Sequence, residues 1–287
     1  MKYTLGLNSE LFEPSELEYV KKFEGVGMIR GENLCIEKMQ YFTMPDFCNH
    51  VTSYLDYIAK IFKNYDVWYR TADLVPHQIN ALEGCDAVLS EKEFLLGLRG
   101  VRRNLKYIDT YKKELEAFLR AYKENKNLGL LIPFVSLSEE MHKVINILRN
   151  EYCYDGKIGM MLEIPSSIIL LDEFKKMGIH NYVIGVNDLT TMLLGSNRDI
   201  TNYDINNPSV LKFLEKIRYL FNTDDDVIVA GYLNKEFCNN CEQIGYTKIN
   251  VHYNDIPIIF DDIENPEIFT SHYDEIKKNY KRVRNKK

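Results

Sequence analysis

Along this chain, short and almost wholly apolar runs alternate with longer stretches in which apolar residues recur every three or four positions. The runs are YTLGLN (3–8), GVGMIR (25–30), DVWYRTA (66–72), NLGLLIPF (127–134), IGMMLEI (158–164), YVIGVND (182–188), DVIVAGY (226–232) and YTKINV (246–251). Continuous rather than alternating apolar character suits parallel strands covered on both faces. The stretches between them have helical period. One carries Val51, Tyr54, Leu55, Ile58 and Phe62, and another Ile108, Tyr111, Leu115, Phe118 and Tyr122. A third, with Met141, Val144, Ile145 and Leu148, follows a capping box expected at Ser136 to Glu139. A fourth opens at Asn207-Pro208 and shows Leu211, Leu214, Ile217 and Phe221. Eight strands, each followed by a helix, predict the α/β class and a (β/α)8 TIM barrel forming a single domain. The alternative, an open doubly wound sheet, would want a glycine-rich first turn that this sequence lacks. The barrel is expected over residues 1–270, with a basic tail over 271–287.

Composition narrows this picture without changing it. The chain has 287 residues, 45% hydrophobic and 27% charged, a size at which α/β barrels occur as one unit. No apolar run approaches the roughly 18 residues of a membrane helix, and the N-terminus lacks the apolar core of a signal peptide. The six cysteines are scattered without a disulfide or metal-ligand spacing. A cytoplasmic protein with no membrane contact is expected. Cys238 and Cys241 of FCNNC fit an apolar helix face with Phe237 and Ile244, which favours core packing over redox or metal work. A net charge of −6 offers no general surface to nucleic acid. The closing KKNYKRVRNKK is the exception, read as a solvated, frayed terminus rather than a contact for RNA or an acidic partner.

In a barrel of this kind the carboxyl ends of the strands carry the chemistry. Asn8, Arg30, Arg70, Asp73, Glu163, Asn187 and Asp188 fall there. Glu163 is the sharpest case: it ends an apolar run, MMLEI, just before Pro165. An ionised carboxylate costs several kcal/mol to bury unless something pairs with it. A salt bridge to a neighbouring strand and a role as metal ligand or acid/base group both answer that cost. Arginine forks bind phosphate or carboxylate, and two carboxylates with an amide are hard-oxygen ligands suited to Mg²⁺. The set points to a divalent metal with a small, multiply charged anion.

The same residues carry a resemblance. GVGMIRGEN, WYRTAD, LLGLRGVRR, LIPFV, MMLEIPSS and VIGVNDLTTMLLGSNRD resemble, in order, the motifs of the phosphoenolpyruvate (PEP)-binding barrel. That barrel belongs to PEP synthase, pyruvate phosphate dikinase and the first enzyme of the sugar phosphotransferase system. PEP synthase looks most similar, through EIPSS and LGLRGVRR, and the likeness runs from about Leu5 to about Asn254. The resemblance implies Glu163 and Asp188 as ligands of Mg²⁺ (or Mn²⁺) and Asn187 as a phosphate contact. It also implies that Arg30, Arg70 and Arg198 hold the phosphoryl group, with Arg99 completing a cationic wall. Of Arg102 and Arg103, one or both are expected to face solvent. The implied substrate is PEP or pyruvate. The implied partner is a phosphohistidine carrier, and a homodimer is left open.

Two departures qualify the resemblance. None of the six histidines sits in a recognisable carrier motif, and 287 residues already used by a barrel leave no room for a carrier or nucleotide-binding domain, so the carrier is expected in trans. The resemblance also implies a cysteine at the end of the seventh strand that protonates the enolate, and here Ala230 stands in its place. Tyr232, two residues on, is a weak candidate acid; it shares the face of Ala230 only if the strand persists, and its phenol starts near pKa 10. Three readings stay open: phosphoryl transfer between PEP and a carrier, an enolate-using carbon–carbon lyase or aldolase, and a PEP-sensing protein without turnover.

Overall fold

The eight apolar runs become eight parallel strands: β1 (Lys2–Leu7), β2 (Val26–Arg30), β3 (Val67–Arg70), β4 (Leu128–Ile132), β5 (Ile158–Leu162), β6 (Asn181–Gly185), β7 (Asp226–Ala230) and β8 (Lys248–His252). They pair in chain order and close through β1 against β8, with Leu5 opposite Val251, giving the expected (β/α)8 barrel. This is a computed structural model that describes residues 1–86, 96–196, 203–261, 263, 266–269 and 277–282.

The helices are α1 (Pro14–Val20), α2 (Gly31–Lys38), α3 (Pro45–Ile61), α4 (Pro76–Asn80), α5 (Gly100–Lys106), α6 (Ile108–Glu124), α7 (Ser138–Asn146), α8 (Pro165–Ile169), α9 (Leu171–Lys176), α10 (Val186–Leu194), α11 (Pro208–Arg218), α12 (Lys235–Ile244) and α13 (Ile256–Ile259). Among the described residues, no helix is long and apolar enough to cross a membrane. The stripes seen in the sequence face the barrel: Val51, Leu55 and Ile58 of α3 and Tyr111, Leu115 and Phe118 of α6 are all buried. Each such side chain contributes about 1.5–3 kcal/mol on leaving water. Proline opens α3 and α11, where its missing N–H costs nothing, and the Asn207 side chain caps α11 by accepting from the Ser209 amide at 2.9 Å. Cys238 and Cys241 lie buried on α12, and burial pushes their thiols up to about 11 and about 12.

One capping detail differs from the sequence reading. The carboxylate that closes the start of α7 belongs to Glu140, not Glu139; it accepts from the Ser136 and Leu137 amides at 2.7 and 3.0 Å. The helix begins one residue later than expected, and the box moves with it.

Inside the barrel, Met28, Trp68, Leu131, Met161, Val183, Ile228 and Ala230 form a core of their own, drawn from β2 through β7. Trp68 fills the space left by glycines on the next two strands, since a Cβ at Gly129 would meet its ring at 2.6 Å and one at Gly159 at 3.1 Å. At the β1/β8 seam the filling is polar, with Thr4 Oγ1 donating to Asn250 Oδ1 at 3.4 Å. This packed interior is the floor on which the polar strand ends stand.

Candidate active site

Above that floor, at the carboxyl ends of the strands, lies a cavity of about 600 Å³. Met28, Met161 and Ala230 line its base, and Arg30, Arg70, Arg99, Glu163, Asn187 and Asp188 line its walls. The structure therefore brings together Arg30, Arg70, Asp73, Arg99, Glu163, Asn187 and Asp188 of the residues that the sequence placed in the site, whereas Asn8 does not line the cavity. Arg198 lies outside the described residues.

Two of the arginines are locked in buried ion pairs. Arg70, 8% exposed, pairs through Nη2 with Glu32 Oε1, two residues past Arg30 in the first turn of α2. Arg99 grips Asp73 as a fork, Nε to Oδ1 at 2.9 Å and Nη2 to Oδ2 at 2.5 Å, and sits 3.6 Å from Asp188 Oδ2. Burial alone would pull both guanidinium pKa values down, but the facing carboxylates more than offset it, so both hold their protons more firmly than usual. Asp73 also donates its amide to Glu32 Oε2 at 3.4 Å, which ties the two pairs together. Arg70 Nε is buried with no hydrogen-bond partner. Arg30 and Arg70 both line the cavity.

Behind β3, the Glu114 carboxylate from α6 supports this cluster. Its Oε1 accepts from Tyr69 Oη at 2.9 Å and from the Ala72 amide at 2.7 Å, fixing the turn that carries Asp73. Burial raises its pKa to about 8.

On the opposite wall, Glu163 is 2% exposed, and its Oε1 accepts from the Phe134 amide at 2.8 Å. Phe134 holds that amide in place at φ 55°, a left-handed conformation that costs a non-glycine residue energy. Its ring stacks on the Arg99 guanidinium at 4.3 Å. Gly100 permits this approach, because a Cβ there would come within 2.5 Å of the Phe134 Cβ. Burial first, then the neighbouring Asp188 charge, pushes the Glu163 pKa well above the usual carboxylate range, while Arg70 pulls it back. Among the described residues, no three His, Cys, Asp or Glu side chains gather as a complete ligand set.

Asn187 and Asp188 are not at the end of a strand as expected. β6 stops at Gly185, and α10 starts on the next residue, so both lie in its first turn. Gly185 makes the tight junction possible, since a Cβ there would meet Glu163 Oε2 at 2.6 Å. Asn187 Oδ1 accepts from the Tyr232 amide at 3.1 Å and from Tyr203 Oη at 3.3 Å, which leaves its Nδ2 as the group able to donate into the cavity.

β7 ends at Ala230, whose methyl sits in the interior core and lines the cavity. The condition set for Tyr232, that the strand persist beyond Ala230, is not met; its side chain is 59% exposed at the rim. Arg103 does not face solvent: it is buried, donating to Tyr41 Oη at 2.6 Å and paired with Asp86, whereas Arg102 is half-buried 3.5 Å from Glu140. Asn8 is buried too. Its Oδ1 accepts from Asn33 Nδ2 and from His252 Nε2 at 3.1 Å, and its Nδ2 donates to Glu10 at 3.0 Å.

Glu32 and Asn33 were missed in the sequence; their only signal was the polar end of IRGEN. Residues 277–282, read as frayed, are helical and lie at the cavity mouth, where Lys277 and Lys281 join its lining.

With the geometry in view, comparisons with known proteins are informative. Residues 2–267 match the family description "PEP-utilising enzyme, PEP-binding domain". The chain is 29% identical over 226 residues to a protein of Methanocaldococcus jannaschii named "Probable phosphoenolpyruvate synthase", covering 74% of this chain and 19% of that one. It is 26% identical to "Phosphoenolpyruvate synthase" of Pyrococcus furiosus, covering 74% and 28%, and 29% identical to that of Helicobacter pylori, covering 69% and 24%. The chain thus spans 19–28% of the length of these relatives. A pyruvate kinase structure from Pyrobaculum aerophilum superposes with a TM-score of 0.50 at 10% identity, covering 99% of this chain and 72% of that one, a likeness of fold.

Proposed function

Since the chain belongs to the family of PEP-utilising enzymes through its PEP-binding domain, we propose that it binds PEP or pyruvate together with Mg²⁺ (or Mn²⁺) and exchanges a phosphoryl group with a histidine carrier supplied in trans. The observation that carries this reading is the convergence of Arg30, Arg70 and Arg99 on the buried Glu163/Asp188 pair in one cavity, with Arg70 Nε unpartnered. A buried donor without an acceptor costs roughly 1–3 kcal/mol, a cost that an anion in the cavity removes.

The donor set fits a divalent metal. Glu163 and Asp188 offer oxygen ligands side by side, and their proximity raises the proton affinity of Glu163, a strain that a cation would relieve. With two protein ligands, a hard ion completes its shell from substrate oxygens and water, as Mg²⁺ tends to do. When bound, the metal would offset the charge of the substrate carboxylate and of the enolate left after transfer. The side chains do the rest. Arg70 Nε and Arg30 would donate to phosphoryl oxygens, and Asn187 Nδ2 would add a neutral donor. Arg99, held by Asp73, would keep its charge beside the metal ligands, a prearranged field of the kind that favours developing negative charge. Arg198 joins this group on resemblance alone.

A second reading has a specific observation in its favour. Where the resemblance implies a proton-donating cysteine, the Ala230 methyl lines the cavity, which suits a PEP-sensing protein without turnover or an enzyme that spends its enolate on a carbon–carbon bond. Calorimetry with oxalate, an enolate mimic, tests the common core of these readings. Oxalate should bind with Mg²⁺ or Mn²⁺ and lose most of its affinity under EDTA. Equal affinity in both conditions would remove the metal from Glu163 and Asp188.

A further inference from the structure

The segment 277–282 lies outside the residues matched by the family description, 2–267, yet it is pinned to α2, the helix that starts directly after Arg30. Its anchor is Asn279, 6% exposed, whose Nδ2 donates to the carbonyls of Ile36 at 3.1 Å and Glu37 at 3.0 Å. Those carbonyls belong to the last turn of α2, where the helix itself supplies no donors. Next to it, Tyr280 Oη donates to Asn33 Oδ1 at 2.6 Å, in the cavity wall. Asn33 Nδ2 in turn donates to Asn8 Oδ1, which also accepts from His252 Nε2 at 3.1 Å. A row of hydrogen-bonded side chains thus runs from the segment through α2 to the ends of β1 and β8.

What this row holds is the helix that carries part of the site. Its eight residues make little more than two turns, too few to be stable without contacts beyond the helix. The chain leaves α2 through Met39 at φ 54°, a left-handed turn that a side chain disfavours. The first turn nevertheless has to keep Glu32 on Arg70 and on the Asp73 amide, and Asn33 in the cavity wall. Tyr280 also settles which way the Asn33 amide points. With Oδ1 engaged by the phenol and Nδ2 by Asn8, the amide is held in one orientation, and its acceptor meets a donor rather than an incoming anion.

We propose that Asn279 and Tyr280 are positioning residues of the anion site. Asn279 clamps the end of α2, Tyr280 orients Asn33, and together they keep α2 where Glu32 can hold Arg70 toward the ligand. The inference rests on the anion-binding reading above and adds to it two residues from beyond the family match, acting through the helix rather than on the ligand.

The test is calorimetry of oxalate with Mg²⁺ on the full chain, as wild type and with Tyr280→Phe, Asn33→Ala, both together, or Asn279→Leu. Hydrogen exchange of the α2 amides, relative to those of α6, is followed in parallel. Tyr280→Phe removes one hydroxyl and should melt near the wild-type temperature while weakening oxalate about fivefold. Because Tyr280 acts through Asn33, the same change should cost less than about 1.5-fold once Asn33 is replaced by alanine. Asn279→Leu should speed exchange across α2 about tenfold and weaken oxalate by a similar factor. Lys278→Ala, at an exposed neighbour, should do neither. A wild type that binds oxalate, with Tyr280→Phe costing nothing or costing the same in both backgrounds, would overturn the inference and leave the functional reading standing. A wild type that binds no oxalate would sink that reading instead. The clamp is then judged by exchange in Asn279→Leu, or in Tyr280→Phe if the first variant does not fold: selectively faster exchange in α2 supports it, and unchanged exchange overturns it.

Discussion

The ends of β3 and β7 face each other across one cavity and are built in opposite ways. At β3, Arg70, Glu32, Asp73 and Arg99 form two linked ion pairs, and Glu114 braces the turn behind them. At β7 there is a methyl group, a glycine and the backbone amide of Tyr232 on Asn187. Buried ion pairs are expensive to assemble and costly to break, so a chain that keeps two of them with their support is organised to hold charge. At the opposite end Ala230 stands where the resemblance implies a proton-donating cysteine, and Tyr232 is exposed at the rim. The contrast sets charge held in ion pairs at β3 against an apolar end with an exposed phenol at β7.

Breaking the β3 side should have the largest effect. Arg70→Ala is expected to weaken oxalate or PEP by 2–5 kcal/mol, roughly 30-fold to several thousandfold, in calorimetry. It should also destabilise the fold by about 3 kcal/mol or more in denaturant, because Glu32 is left buried without its cation. Arg70→Met with Glu32→Met should regain stability but not binding. A loss below threefold on Arg70→Ala would place this guanidinium outside the site.

The support beneath that cluster can be read by pH. Glu114 rises from an ordinary 4.5 to about 8 in the fold. Between those values the folded chain holds a proton that the unfolded chain releases, so this contribution is complete below about pH 4.5 and is lost as pH rises through 8. Glu114→Gln mimics the protonated form, since Oε1 alone accepts both hydrogen bonds. In denaturant titrations the variant should lack that pH-dependent fall and be more stable at pH 9 by on the order of 5 kcal/mol. Parallel pH profiles would show that the fold does not raise the Glu114 pKa.

The β7 side should respond least. Pyruvate with protein and Mg²⁺ in D₂O is expected to exchange its methyl protons slowly, and Ala230→Cys should speed this about tenfold, a part of what general acids typically contribute. Tyr232→Phe should change the wild-type rate by less than threefold, given the exposure of its ring. Fast wild-type exchange abolished by Tyr232→Phe would make this end functional after all.

The contrast also marks how far the sequence could be read. Strands announced themselves because burial on both faces leaves continuous apolar runs, and the barrel followed from their alternation with helices. Glu163 and the arginines stood out as charges breaking those runs. The pairing of Arg70 with Glu32, 38 residues away, was not legible, because side-chain partners across a barrel leave no periodic trace. Asn187 and Asp188 looked like a strand end because the apolar run continues into α10, and only the backbone shows the junction at Gly185. The terminal basic run looked solvated because its anchoring group is one asparagine among lysines and arginines.

The packing of Trp68 has a practical consequence. It is the one tryptophan of the chain, and it sits in the same interior core as Met161 and Ala230, which line the cavity floor. Near-ultraviolet emission from the native protein therefore comes from an indole in an apolar enclosure and should lie to the blue of free tryptophan. Unfolding should move it to the red. Ligands seated on the floor should alter its intensity without any attached dye, giving the protein an optical signal of its own for both folding and occupancy.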